Sequence, residues 1–132
     1  MASRDIKDLD SRLQPLAIRF VADCKAAGID VILTCTWRSN QEQDTLYAQG
    51  RTAPGHVVTN ARAGQSKHNP TQDGHPCSQA FDMAPVVNGK IDWSPSNPAW
   101  ARCGAIGKEL GLEWAGDWKS FREFPHFQLK AV

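Results

Sequence analysis

In the run Ala80-Phe81-Asp82-Met83-Ala84 a lone carboxylate sits between small residues, and in His126-Phe127-Gln128-Leu129 a histidine alternates with core-type side chains. Side chains alternate across a strand, so Asp82 shares a face with Ala80 and Ala84, and His126 with Gln128, while Phe127 and Leu129 turn to the core. If the two runs are neighbouring strands, Asp82 and His126 converge on one open floor, and the loop histidines His56, His68 and His75 can close over it. One aspartate and two histidines leave a fourth position free on zinc, the mark of a catalytic rather than a structural centre. Glu123 lies three residues before His126. A straight strand would point the two to opposite faces, so Pro125 must mark a bend or bulge if this carboxylate is to reach a metal-bound water. The chemistry would then be hydrolysis. Zinc lowers the pKa of the water and polarises a carbonyl, and Glu123 takes the proton and passes it to a leaving amine.

The elements that must position these groups can be read in order. Ile6, Leu9, Leu13, Leu16, Phe20 and Cys24 recur at three- and four-residue steps, which predicts one helix ending at Gly28. Val31 to Trp37 reads as a buried strand delivering Arg38 at its end. Ser39 and Glu42 form a capping box for a helix over residues 40–49, closed by Gly50. Arg51 to Pro76 has no period and reads as a long loop, the kind that is usually functional. Gln79 to Val87 reads as a strand, Asn88-Gly89 as a hairpin turn and Lys90 to Trp93 as the return. Asn97 and Pro98 open a third helix that Gly111 stops. Leu112 to Trp118 and Phe124 to Leu129 close the chain as two short strands. The fold class is therefore α+β, with helices packed on a small antiparallel sheet in a single domain over residues 1–132.

Composition bounds the possibilities. With 15 Lys+Arg against 14 Asp+Glu the formal charge is +1, which lacks the basic excess of a nucleic-acid or membrane-surface binder. At 41% hydrophobic and 22% charged the chain can bury a core. The charged start MASRDIKDLDSRL is unlike a signal peptide, so the expectation is a monomer, cytoplasmic until released to the cell wall. Cys24, Cys35, Cys77 and Cys103 lack a C-x-x-C pair and read as buried small side chains.

The ordered set Thr36-Trp37-Arg38-Ser39 with Gln43 and Leu46, Ser66-Lys67-His68, Ala80-Phe81-Asp82 and Glu123-Phe124-Pro125-His126 resembles the zinc peptidases of the D-Ala-D-Ala carboxypeptidase and phage L-alanyl-D-glutamate endopeptidase group, which share the hedgehog/DD-peptidase fold. The resemblance implies zinc ligands at His68, Asp82 and His126, a catalytic base at Glu123 and a substrate- and transition-state-stabilising arginine at Arg38. Ser66, Asp117 and Trp118 are expected along the substrate groove. One departure stands out: the family's first histidine usually precedes the aspartate by about seven residues, whereas His68 precedes Asp82 by fourteen and His75 by seven. Ser66-x-His68 matches the family's Ser-x-His signature and Asp73-x-His75 does not, so residues 69–77 read as an insertion.

Plainer roles stand beside each of these. His126 alone would be a strand histidine satisfied by a neighbour, Asp82 a turn residue, Arg38 a surface charge and His56 a loop residue. Glu113 and Asp117 are alternative bases. Trp93, Trp100, Trp114 and Trp118 are core or cleft-wall aromatics. The expected function is hydrolysis of a peptide bond in the peptidoglycan stem peptide, between L-Ala and D-Glu, as in a phage endolysin. A D-Ala-D-Ala carboxypeptidase or dipeptidase is the alternative within the enzyme class, and a non-catalytic zinc module binding peptidoglycan or a protein is the alternative outside it.

Overall fold

Pro15 decides where the first helix begins. It has no N–H to offer and is tolerated only in a first turn, and α1 accordingly spans Gln14–Ala26 with Pro15 at its second position. Upstream, the Asp10 carboxylate accepts from the Arg12 N–H at 2.8 Å, and Leu9 bridges to Ser78. The helix expected from Ile6 therefore starts late: Ile6–Asp8 is one 3-10 turn. Leu9 and Leu13 are still buried, so the periodicity found the buried side chains but not the backbone.

The computed structural model describes residues 2–130. After α1 come β1 (Val31–Cys35), α2 (Asn40–Ala48), the short strands β2 (Thr71–Gln72) and β3 (His75–Pro76), β4 (Ala80–Val87), β5 (Lys90–Ile91), α3 (Ala99–Glu109), β6 (Leu112–Trp114) and β7 (His126–Leu129). The antiparallel sheet runs β1-β4-β7-β6, with β5 hairpinned onto β4, and β2 and β3 form a separate hairpin. The α2 capping box is present as expected, and so is the Asn88-Gly89 turn, with φ of 52° and 77°.

Several boundaries differ from the sequence reading. β1 stops at Cys35 because Thr36 N–H donates to Ser3 O and Ser3 N–H to Trp37 O, which pairs that segment with the N-terminal stretch instead. The strand expected through Trp118 ends at Trp114 and gives way to a 3-10 turn over Ala115–Asp117. β7 begins at His126 rather than Phe124, because Glu123 to His126 is a turn closed by His126 N–H on Glu123 O.

Helices cover one face of the sheet. Phe20 of α1 packs on Phe81 and Phe127 at centroid distances of 5.4 and 4.8 Å, and all three are fully buried. Burial of this kind is worth about 1.5–3 kcal/mol per side chain. Gly107 lets α3 approach closely, since a Cβ there would overlap the Phe127 ring. With Phe81 and Phe127 committed to the helices, the pleat sends Asp82 and His126 to the other face. Among the described residues no helix is long and apolar enough to cross a membrane.

Candidate metal centre and cleft

Asp82 of β4 and His126 of β7 are register partners, as the alternation required. β1 joins them through an irregularity: its register shifts between Leu33 and Cys35, so that Cys35 rather than Thr34 lies opposite Asp82. A bulge of this kind re-aims a strand end, and Arg38 follows it with a side chain only 14% exposed.

The third arm arrives from the long loop. Ser66 Oγ accepts from the His68 N–H at 3.1 Å, and Asn69 Oδ1 from the Ser66 N–H at 3.1 Å. The turn so formed is docked on the end of β1 by Arg38 N–H to His68 O at 3.0 Å and Asn69 Nδ2 to Arg38 O at 2.9 Å. Residues 70–77 then leave as the β2–β3 hairpin and return, closed by Cys77 N–H on Pro70 O at 2.9 Å, with Gln79 N–H on Lys67 O at 2.8 Å. The insertion is an excursion whose ends meet. It leaves His75 exposed on the hairpin and seats His68, 2% exposed, against the sheet. His56 is likewise exposed on the loop.

His68 Nε2 and His126 Nδ1 each lie 3.1 Å from the same oxygen, Asp82 Oδ1. The far nitrogen of each ring is engaged. His68 Nδ1 is 2.8 Å from the Thr36 carbonyl, which can only accept, so the Nδ1–H donates and Nε2 is the atom left facing the carboxylate. His126 Nε2 is 2.9 Å from Gln128 Oε1. Gln128 Nε2 donates in turn to Glu113 Oε2 at 3.3 Å, and the Trp118 indole N–H donates to the same oxygen at 3.0 Å. Because Glu113 can only accept, the Gln128 amide is oriented with its oxygen toward His126, which directs the proton to Nε2 and leaves Nδ1 facing Asp82.

This donor set suits a divalent cation: two imidazole nitrogens aimed at one carboxylate, each with its other nitrogen tied to an acceptor, is how ligating histidines are held. By proximity alone a different trio is tightest, since ligand atoms of Cys35, His68 and Asp82 lie within 4.8 Å of one another. Cys35 Sγ, however, approaches the Nδ1 of His68 at 3.7 Å, the edge that the Thr36 carbonyl already occupies, and takes a contact from Arg38 Nη2 at 3.6 Å. We therefore take His126, which meets His68 at the shared carboxylate oxygen and lines the cleft, as the third arm.

Electrostatics agree with the geometry. Burial opposes charge on His68, but the Asp82 carboxylate beside it outweighs that and raises its pKa to about 10. Burial likewise opposes ionisation of Asp82, yet the facing histidines hold it well below the usual carboxylate range. Glu123 is pushed up, chiefly by burial, as a carboxylate poised to take up a proton would be. A cleft of about 620 Å³ brings Arg38, Ser66, His68, Asp82, Glu123 and His126 to one space. The Arg38 guanidinium is aimed by Gln43 Oε1 at 2.9 Å and stands 3.7 Å from Asp82 Oδ2.

Of the expected groove residues, Trp118 walls the cleft with its ring 5.6 Å from that of His126. Ser66 borders it while its hydroxyl holds the His68 turn. Asp117 does not join them: its half-exposed carboxylate pairs with Lys108 Nζ at 2.9 Å. Sequence reasoning missed Cys35, read only as a buried small side chain, and the Gln128–Glu113–Trp118 chain. The chain had a partial signal, since alternation already put Gln128 on the His126 face, but pairing Glu113 with Gln128 needs the β6–β7 register.

The family model described as D-alanyl-D-alanine carboxypeptidase matches residues 59–129. The chain is 39% identical over 124 residues to the peptidoglycan L-alanyl-D-glutamate endopeptidase CwlK of Bacillus subtilis (strain 168), spanning 90% of this chain and 74% of that protein. It is 37% identical over 93 residues to the L-alanyl-D-glutamate peptidase of Escherichia phage T5, spanning 66% of this chain and 67% of that one. Its fold matches that of the vancomycin-resistance D,D-pentapeptidase VanY, solved as an E175A mutant in complex with Zn(II), with a TM-score of 0.64 at 14% identity over 92% of this chain and 72% of that one.

Proposed function

The chain belongs to the D-alanyl-D-alanine carboxypeptidase family, and on that premise we propose that it is a phage-type zinc peptidase that hydrolyses the L-Ala–D-Glu bond of the peptidoglycan stem peptide. The observation that carries the reading is the pair of buried imidazoles on one Asp82 oxygen, in the same cleft as Glu123. The choice of bond is supported by the two relatives named for it, both more than 35% identical to this chain.

In this reading His68, Asp82 and His126 would hold the metal, and a zinc held there would acidify a water and polarise the scissile carbonyl. Glu123 takes the proton of that water and returns it to the leaving amine, and its raised pKa suits a group that must do both. Arg38, fixed by Gln43, offers a permanent positive charge to a substrate carboxylate or to the oxyanion as it develops. Gln128 and Glu113 hold the ring of His126, and Ser66 the turn of His68. Trp118 walls the cleft beside His126.

Digestion of purified peptidoglycan with mass analysis tests this directly. New D-Glu amino termini, with L-Ala left on the muramic acid, are expected. Release of D-Ala alone would instead make the protein a carboxypeptidase, and no release of any product would make it a binding module.

A further inference from the structure

Beside the catalytic cleft lies a second hollow of about 430 Å³ lined by Trp93, Trp100, Arg122, Glu123 and Phe124. Its chemistry differs from that of its neighbour. Phe124, Trp100 and Trp93 follow one another at centroid distances of 6.3 and 6.2 Å, the two indoles lying within 23° of parallel. Trp100 is buried and anchored by its N–H on Ser94 O at 2.9 Å. Trp93 rests on it with 55% of its surface in solvent, and among the described residues nothing accepts a hydrogen bond from its indole N–H. A large flat ring braced from beneath and open above offers a face on which a ligand can stack. Arg122 completes the rim, its Nε held on Trp118 O at 3.2 Å.

The hollow adjoins the cleft, with Glu123 as the lining residue the two share. The cleft itself is mixed but carries Arg38, Lys67 and the amides of Gln49, Asn60 and Gln65 among its walls, groups that suit the charged D-Glu side of a stem peptide. On the other side of the scissile bond the substrate is a sugar: the amino group of L-Ala is acylated by the lactyl ether of N-acetylmuramic acid, about 7–10 Å away when extended. A pyranose presents a face of C–H groups to an aromatic ring and hydroxyl and acetamido groups at its edge, which an indole N–H and a guanidinium can meet.

We infer that the Trp93–Trp100–Phe124 shelf, rimmed by Arg122, is a subsite for the amino-sugar residue that carries the stem peptide. The inference rests on the L-Ala–D-Glu reading above. It makes the protein a peptidase that reads glycan and peptide together, so that it favours stem peptides still attached to the wall over released ones.

The test compares two substrates that share the scissile bond, an N-acetylmuramoyl stem peptide and the same peptide without the sugar. Trp93→Ala should lose roughly tenfold in kcat/KM on the muramoyl substrate, mostly through KM, and stay within about twofold of the parent on the free peptide. Trp93→Tyr should recover most of the loss, because it restores a flat ring. Equal losses on both substrates would assign the hollow to the peptide, and no loss on either would leave Trp93 as a cover for Trp100; each overturns the inference. Titration with the N-acetylglucosaminyl–N-acetylmuramic acid disaccharide, read at the Trp93 indole N–H by NMR, tests the shelf without turnover. A shift there is expected, and its absence would overturn the inference. Parent protein that cleaves neither peptide but shows the shift would refute the choice of bond and leave the sugar subsite standing.

Discussion

Loading the centre with zinc should expel a proton, and the structure says from where. His68 Nε2 faces the Asp82 carboxylate at 3.1 Å, and that carboxylate raises the imidazole's pKa to about 10. A metal needs that nitrogen unprotonated. At pH 7, about three units below that value, only roughly one His68 in a thousand is neutral, so zinc binds about 10³-fold more weakly than its high-pH limit, a penalty of ~4 kcal/mol. Apparent affinity should therefore climb about tenfold per pH unit between roughly pH 6.5 and 9. Titration calorimetry in buffers of different ionisation enthalpy measures the proton directly, and at least one per zinc is expected at pH 7. The same group shapes the stability of the metal-free protein. Its folded pKa lies above the unfolded value, so its contribution is complete below about pH 6.5 and disappears as pH rises through about 10, with a ceiling of ~5 kcal/mol. A buffer-independent heat together with a flat affinity profile would mean that His68 is neutral before zinc arrives, and would refute the charged His68–Asp82 arrangement.

Three further outcomes are expected. Glu123→Gln should keep its fold and its zinc but lose about 10²–10⁴-fold in turnover, because an amide cannot take the proton; wall lysis near the parent rate would place the base elsewhere. Gln128→Leu removes the acceptor that holds His126 Nε2 and should weaken zinc about 10- to 100-fold in a chelator competition, with a smaller effect on folding; an unchanged affinity would show that the ring needs no such support. His68→Ala should abolish stoichiometric zinc by elemental analysis, whereas His75→Ala, exposed on its hairpin, should retain it and shift stability by less than about 0.5 kcal/mol; the reverse result would exchange the two assignments.

What the sequence made legible was what local chemistry dictates. The Ser39–Glu42 box, the Asn88-Gly89 turn and the alternation that sets Asp82 and His126 apart from Phe81 and Phe127 depend only on near neighbours, and all are present. The first helix starts later than its periodicity suggests because a three-four pattern reports which side chains are buried, and Leu9 reaches the core from an isolated bridge and Leu13 from a turn. The strand ends depart from the local pattern where long-range pairing wins, as when Ser3 takes the backbone of Thr36 and Trp37. Bringing His68 rather than His75 to Asp82 rested on a short motif, and only the hairpin's closure explains how fourteen positions can be spanned. Cys35 beneath the centre was hidden by a register shift, which leaves no mark in the local sequence.

That hairpin also uncouples chain length from metal geometry. Its two ends are joined by the Cys77–Pro70 hydrogen bond, and beyond them Gln79 is tied to Lys67, so the centre is held by what happens at the base of the excursion and is blind to its tip. Doubling such a loop costs only about 0.6 kcal/mol in closure entropy. The tip at Asp73-Gly74 is therefore a natural port, a place where a wall-targeting peptide, a tag or a shortened turn can be engineered into the chain while the distance between His68 and Asp82 in space stays as it is.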